Sequence, residues 1–275
     1  MRSKQQAEVI RQRELAAGIF DLLLKAPDVA AQARAGQFVD LYCADKSRLL
    51  PRPISLAGVE KDSGQIRLVY RISGAGTEEF SRLQAGDPIA LLGPLGNGFP
   101  LEEAAGKQVL LLGGGIGIPP LLQTAKALRQ MKEASLHPAE ITAVLGYRDA
   151  DTFLADEFAA VCDRVLLATE DGSIGTMGTV LDALTADRAA GSGKTAVPDA
   201  LIFSCGPTPM LRAVKAYAEK EAIPCLVSLE ERMACGIGAC LACVCRTAEI
   251  DGHSQVKNRR VCKDGPVFRA EEVVL

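Results

Sequence analysis

The sequence predicts a multidomain α+β chain: an antiparallel β-barrel, then a parallel α/β domain, then a small cysteine-rich domain at the C-terminus. Three observations carry this. Residues 8–100 hold short β-rich runs between turn residues. From residue 107 onward, strand-like runs alternate with helical ones. Five of the nine cysteines crowd between residues 235 and 262. The divisions read as 1–103, 104–225 and 226–275, which suits a chain of 275 residues.

In the first segment the strand candidates are Val9–Arg13, Ile19–Leu24, Phe38–Tyr42, Ile54–Val59, Ile66–Arg71 and Pro88–Leu92. They are separated by Pro27, Gly36, Pro51, Asp62-Ser-Gly64, Gly74 and Gly86-Asp87. Short strands at this spacing predict a small antiparallel barrel, with Thr77–Leu83 as its helix. Arg52-Pro53-Ile54-Ser55 opens one strand, Tyr70-Arg71 ends another, and Gly76-Thr77 begins the helix. Arginine forks and free helix-start N–H groups suit a pyrophosphate, and Ser55 offers a hydroxyl suited to a flavin nitrogen. A solvated Arg-Pro turn is the competing reading.

In the second segment, Lys107–Leu112 is a buried-strand run that leads through Gly113-Gly-Gly-Ile-Gly-Ile-Pro-Pro120 into a helix reaching Met131. Glu140–Leu145, Val165–Thr169 and Ala200–Ser204 are further strands, and Phe153–Ala160, Thr179–Ala186 and Pro209–Glu221 are helices. The alternation predicts a Rossmann-like parallel sheet covered on both faces. A glycine-rich turn between strand and helix is where such a sheet holds a dinucleotide, so Gly114, Gly115 and Gly117 are candidates. The spacing departs from G-x-G-x-x-G, and a plain tight turn is the alternative. Cys205-Gly206-Pro207 opens a second turn at a similar edge. Cys205 reads as a core thiol or a nicotinamide contact, since no base stands ready to activate it. The histidines, His137 and His253, lie in polar stretches. Ala168-Thr-Glu170-Asp171-Gly172 places two carboxylates after a strand, where they would repel a 2′-phosphate and favour NAD over NADP. A solvated turn explains them equally. Gly191-Ser-Gly-Lys-Thr195 imitates the end of a P-loop, but Arg188 occupies the place of its first glycine and no buried strand leads in.

In the third segment, Cys235-Gly-Ile-Gly-Ala-Cys240-Leu-Ala-Cys243, with Cys262 downstream, has the C-x4-C-x2-C…C spacing of a plant-type [2Fe–2S] site. Gly236 and Gly238 let the loop curl closely. A structural zinc site more often uses two separated C-x2–4-C knuckles, and disulfides or inert thiols are a further alternative. Cys245 is a rival for Cys243, but only Cys243 completes the pattern. A hairpin turning at Asp251-Gly252 follows.

Composition narrows the function classes. Apolar residues make up 48% and charged residues 24%, with a net charge of −3, so no basic surface points to nucleic acid. No apolar run reaches membrane-spanning length, and the polar start Met1-Arg-Ser-Lys-Gln-Gln lacks a secretory pattern. Clustered cysteines suit metal binding in a reducing compartment. The expectation is a soluble, cytoplasmic protein.

Arg52-Pro-Ile-Ser55, Gly113-Gly-Gly-Ile-Gly117 and Cys205-Gly-Pro-Thr-Pro-Met210 together resemble the ferredoxin-NADP+ reductase superfamily. The stretch Arg232–Cys243, with Val261-Cys262-Lys-Asp-Gly-Pro-Val267, is similar to the electron-transfer subunits of type 1B dihydroorotate dehydrogenases. The resemblance runs over roughly residues 8–270. It implies FAD at Arg52, Pro53, Ile54, Ser55, Val69, Tyr70, Arg71, Gly76 and Thr77, and a [2Fe–2S] cluster on Cys235, Cys240, Cys243 and Cys262. It implies NAD at the α/β domain. It further implies an FMN-containing catalytic subunit as partner, in a heterotetramer of two of each. That partner would oxidise dihydroorotate to orotate in pyrimidine biosynthesis, and electrons would pass through the cluster and FAD to NAD+. No residue is assigned as a catalytic acid, base or nucleophile. The 18 residues between Cys243 and Cys262 and the stretch Ala189–Val197 look like local additions. The alternatives are a ferredoxin- or sulfur-linked NAD(P) oxidoreductase subunit with the same cofactors, and a non-catalytic zinc-binding module.

Overall fold

The computed structural model describes residues 3–191, 199–252 and 255–275. The chain divides into two compact units, Met1–Gly98 with Glu230–Val267, and Phe99–Leu229 with Phe268–Leu275. The cysteine-bearing segment thus shares a unit with the barrel, and the breaks fall away from those read in the sequence. Part of the reason is that residues 225–228, a break point in the sequence, form a buried strand of the second unit's sheet.

In the first unit six antiparallel strands close into a barrel of order β1-β2-β5-β4-β3-β6. They are β1 (Ser3–Ala16), β2 (Ile19–Lys25), β3 (Phe38–Tyr42), β4 (Arg52–Glu60), β5 (Gln65–Arg71) and β6 (Pro88–Leu95). Alternation sends Leu22, Leu24, Ile66, Leu68 and Leu91 inward, where they form one core with Val39, Leu41 and Tyr70. Helix α1 (Pro27–Gln32) buries Val29 and Ala30, and α2 (Ala75–Phe80) buries Phe80. β1 extends well beyond Val9–Arg13 at both ends because its polar residues find partners along the barrel. Arg11 and Arg13 pair with the fully buried Asp21 of β2, which Arg67 of β5 also holds. Gln12 donates to the carbonyls of Phe80 and Leu83. Helix α2 begins at Ala75 rather than Thr77, since the Thr77 hydroxyl accepts from the Ser73 N–H and donates to the Gly74 carbonyl.

The second unit is built on a sheet of β7 (Gln108–Gly114), β8 (Glu140–Tyr147), β9 (Arg164–Thr169), β10 (Thr176–Met177), β11 (Ala200–Cys205) and β12 (Cys225–Ser228). Its order is β10-β9-β8-β7-β11-β12, all parallel, with Val267–Arg269 added beyond β12. Val109–Leu112 and Leu201–Phe203 are almost wholly buried, as expected of central strands covered on both faces. The helices are α3 (Ile118–Arg129), α4 (Ala155–Ala159), α5 (Val180–Ala189) and α6 (Thr208–Glu221). β10 is absent from the sequence reading because two residues carry no periodicity. The P-loop imitation and the Ala189–Val197 stretch lie largely outside the described residues.

The cysteine segment contributes an antiparallel pair to the first unit, β13 (Val244–Arg246) and β14 (Asn258–Arg260), with Val244 opposite Arg260. The expected turn at Asp251-Gly252 lies between these strands, and His253 is outside the described residues. Val267–Arg269 is β15. Among the described residues no helix is long and apolar enough to cross a membrane.

Candidate cofactor-binding sites

The cysteine loop is shaped around its sulfurs. Gly236 and Gly238 take φ values of 65° and 85°, in the left-handed region open to glycine. The curl turns the N–H groups of Ala239 and Cys240 onto the Cys235 sulfur at 3.3 and 3.4 Å. Burial pushes the Cys235 thiol up, but the N–H groups of Ile237 and Cys240, the Cys240 thiol and the Ala239 N–H outweigh it. The pKa falls to about 6. Across the hairpin, the Cys262 N–H donates to the Cys243 sulfur at 3.4 Å. The Cys262 thiol is pushed up to about 12 by burial, by its hydrogen bond with Cys243 and by the charge of Cys243.

The thiols therefore stand in two pairs, Cys235 with Cys240 and Cys243 with Cys262. This donor set suits a two-iron centre that takes two thiolates on each iron. Among the described residues no three Cys, His, Asp or Glu side chains stand gathered where they could hold a metal ion. Cys243 and Cys262 are buried, Cys235 is half-buried and Cys240 is exposed. Cys245 lies on β13 opposite Arg259, on the strand that leaves the loop.

Three residues missed in the sequence flank this loop. The Arg260 guanidinium donates to both oxygens of Asp264 at 2.9 and 3.0 Å and to the Gly238 carbonyl at 3.3 Å, tying the loop to the turn that carries Cys262. Their spacing of four in a cysteine-rich turn was the available signal. On the other side is Asp40 of β3, fully buried, with neither carboxylate oxygen hydrogen-bonded. A Cβ on Gly236 would overlap Asp40 Oδ2. Burial, then the nearby Cys235, raises the Asp40 pKa to about 7. A charge inside Phe38-Val-Asp-Leu-Tyr42 was the signal for it.

In the barrel, Arg52 and Gly76 meet: a Cβ on Gly76 would lie 2.5 Å from the Arg52 guanidinium carbon. Arg52 also donates to the Leu50 carbonyl. Arg52, Pro53, Ile54 and Ser55 are half-buried at the start of β4, and Arg71 is exposed at the end of β5. A guanidinium against a helix start fits an anionic pyrophosphate. Tyr70 faces the core, where its ring stacks on Phe20 at 5.9 Å and its hydroxyl donates to Gln12 at 3.0 Å. Val69 is likewise buried and Thr77 is spent on its own turn. Those three positions offer backbone rather than side chain.

The two glycine turns of the second unit come together. Cys205 is in register with Gly113, so both turns leave the same edge of the sheet. Strand order reverses here: β8 lies on one side of β7 and β11 on the other, the crevice where such sheets bind ligands. Gly117 abuts the backbone of Cys205 and Gly206. Met210 of α6 packs on Gly114 and Gly206, where added Cβ atoms would lie 2.6 Å from its Sδ and 2.5 Å from its Cε. Gly115 and Pro207 are more open, and Pro119 and Pro120 occupy the first turn of α3. Cys205 is a buried thiol beside this crevice. His137 sits elsewhere, its ring 2.7 Å from the Met131 carbonyl. At the end of β9, Glu170 and Asp171 are both exposed, and Asp171 accepts from the Ser173 N–H and hydroxyl.

Family profiles match along the chain: an oxidoreductase FAD-binding domain over 7–99, an oxidoreductase NAD-binding domain over 111–216, and the iron–sulfur cluster binding domain of dihydroorotate dehydrogenase B over 230–274. The chain is 41% identical over 276 residues to the dihydroorotate dehydrogenase B (NAD(+)) electron transfer subunit of Streptococcus mutans, covering 99% of this chain and 98% of that one. It is 41% identical to the same subunit from Bacillus caldolyticus, over all of both chains. Among solved structures, an NADH-dependent reduced ferredoxin-NADP oxidoreductase described for flavin-based electron bifurcation superposes with a TM-score of 0.82. The identity there is 33%, over 98% of this chain and 89% of that one. The ferredoxin reductase of carbazole 1,9a-dioxygenase shares the fold, with a TM-score of 0.63 and 22% identity over 81% of this chain and 67% of that one. With full-length identity above 40% to two such subunits, and an iron–sulfur profile of its own kind over the cysteine segment, this chain belongs to the family of dihydroorotate dehydrogenase B electron transfer subunits.

Proposed function

We propose that this chain carries electrons from a catalytic subunit that oxidises dihydroorotate to orotate, and delivers them to NAD+. The observation that carries the reading is the paired arrangement of Cys235 with Cys240 and Cys243 with Cys262, in a chain that also holds FAD- and NAD-binding domains. When bound, FAD exchanges electrons singly or as a hydride, and the [2Fe–2S] centre exchanges them singly.

The residues supply binding and orientation. Cys235, Cys240, Cys243 and Cys262 hold the centre as thiolates, and the Ala239 and Cys240 N–H groups spread charge off the Cys235 sulfur. Arg52, Arg71 and the backbone at Gly76 and Thr77 take the flavin's pyrophosphate, while Pro53, Ile54 and Ser55, with the backbone of Val69 and Tyr70, line the flavin. Gly114, Gly115, Gly117, Cys205, Gly206 and Pro207 form the floor for NAD. Glu170 and Asp171 disfavour a 2′-phosphate and so select NAD over NADP. The partner carries FMN, the assembly holds two copies of each subunit, and the complex works in the cytoplasm.

The test is reconstitution: the purified chain, mixed with an FMN-containing dihydroorotate-oxidising subunit, should reduce NAD+ on addition of dihydroorotate. Neither subunit alone should do so. A second reading, a ferredoxin-linked subunit, draws on the 33% identity to the reduced ferredoxin-NADP oxidoreductase. Reduction of NADP+ from ferredoxin, with no response to dihydroorotate, would favour it.

A further inference from the structure

Asp40 is the one charged group against the cysteine loop whose carboxylate oxygens, among the described residues, are both buried and unpartnered. It lies in β3 opposite Pro53 of β4 and Leu92 of β6, with its Oδ2 against Gly236, the residue after Cys235. An unpaired carboxylate in an apolar strand is costly to bury. Two cations also flank the loop: Arg260, which touches the Gly238 carbonyl, is held by both oxygens of Asp264, and the Lys263 stem packs on Gly238. Among the described residues, Asp40 thus sets a buried carboxylate beside Gly236 that no hydrogen bond offsets.

We propose that Asp40 lowers the reduction potential of the iron–sulfur centre held by Cys235, Cys240, Cys243 and Cys262. The inference rests on those four thiolates being the ligands. Reduction adds one electron to the centre and breaks no bond in the chain, so the negative charge of ionised Asp40 beside Gly236 opposes it directly. A centre so biased gives its electron up more readily, which favours onward transfer toward NAD+.

The test is a redox titration of the full-length holoprotein at about pH 8, following the reduced centre by electron paramagnetic resonance, with iron and flavin quantified on each sample. Asp40→Asn and Asp40→Ser should each shift the centre's reduction equilibrium at least tenfold toward the reduced form, about 59 mV for one electron. Iron and flavin contents should match the wild type. The paired change Arg260→Gln with Asp264→Asn disturbs the same loop without changing net charge, and should shift the equilibrium less than threefold. Wild type and both Asp40 variants agreeing within threefold would overturn the proposal. So would loss of iron from both Asp40 variants, which would make the residue a structural support, or an equally large shift in the charge-neutral pair. Wild-type protein without iron would overturn the ligand assignment and this inference together, and the iron assay on the wild type separates that failure from the others.

Discussion

Gly117 lies directly against Cys205: a Cβ at position 117 would stand 2.5 Å from the Cys205 carbonyl carbon and from the Gly206 nitrogen. These are backbone atoms of β11 and the turn after it, so the clash has no flexible side chain to absorb it. Gly117→Ala should therefore push the two turns apart and weaken NADH binding roughly tenfold or more, on the scale of about 1–3 kcal/mol for overpacking. Iron and flavin should remain bound. Flavin reduction rates measured across NADH concentrations check this, and unchanged saturation behaviour would remove Gly117 from the site.

The sulfur pairing separates ligands from bystanders. Cys240→Ser and Cys262→Ser should each lose most of the iron, whereas Cys245→Ser, changed on the strand that leaves the loop, should keep it. Iron analysis and the visible spectrum of the three variants decide the matter.

Much of this was legible because its signals are local. The C-x4-C-x2-C spacing, the strand–glycine–helix turn at Gly113–Pro120 and the punctuated strands of the barrel depend on neighbours in sequence. What the sequence concealed depends on partners far along the chain. β1 is long because Arg11 and Arg13 find Asp21 and Gln12 finds the carbonyls of Phe80 and Leu83. Tyr70 sits beside Arg71 in sequence yet turns inward to Phe20 and Gln12, since alternation sends neighbours to opposite faces. The Arg260–Asp264 clamp and the Asp40 contact at Gly236 join segments whose proximity no periodicity announces.

Asp21 holds three arginines from two strands while fully buried itself. Asp21→Asn would leave Arg67, mostly covered, facing Arg11 and Arg13 without a counter-charge. Breaking one side of a buried ion cluster typically costs about 3–5 kcal/mol. The melting temperature of the holoprotein should fall by several degrees, with the iron content of the folded protein unchanged. A shift within error would show that solvent already screens the cluster.

In the second unit, Thr179 and Asp182 form a capping box at the start of α5. Hydrogen bonds from the Thr179 N–H and then its hydroxyl lower the Asp182 pKa. A lowered folded-state pKa means the unfolded chain binds the proton more tightly. The stabilisation is thus present above the ordinary carboxylate range and is lost as pH falls through the lowered value. Asp182→Ala should cost about 1 kcal/mol at neutral pH, the usual worth of a cap. The deficit relative to wild type should shrink in acid. Denaturant midpoints at neutral and acid pH test this, and a pH-independent deficit would assign the effect to packing instead.

Whether the chain is an electron carrier is tested first by the iron, zinc and flavin content of the freshly purified protein, with its visible spectrum. Such a carrier contains about two irons and one FAD per chain, with flavin bands over broad iron–sulfur absorption. One zinc, no flavin and a colourless solution would contradict it.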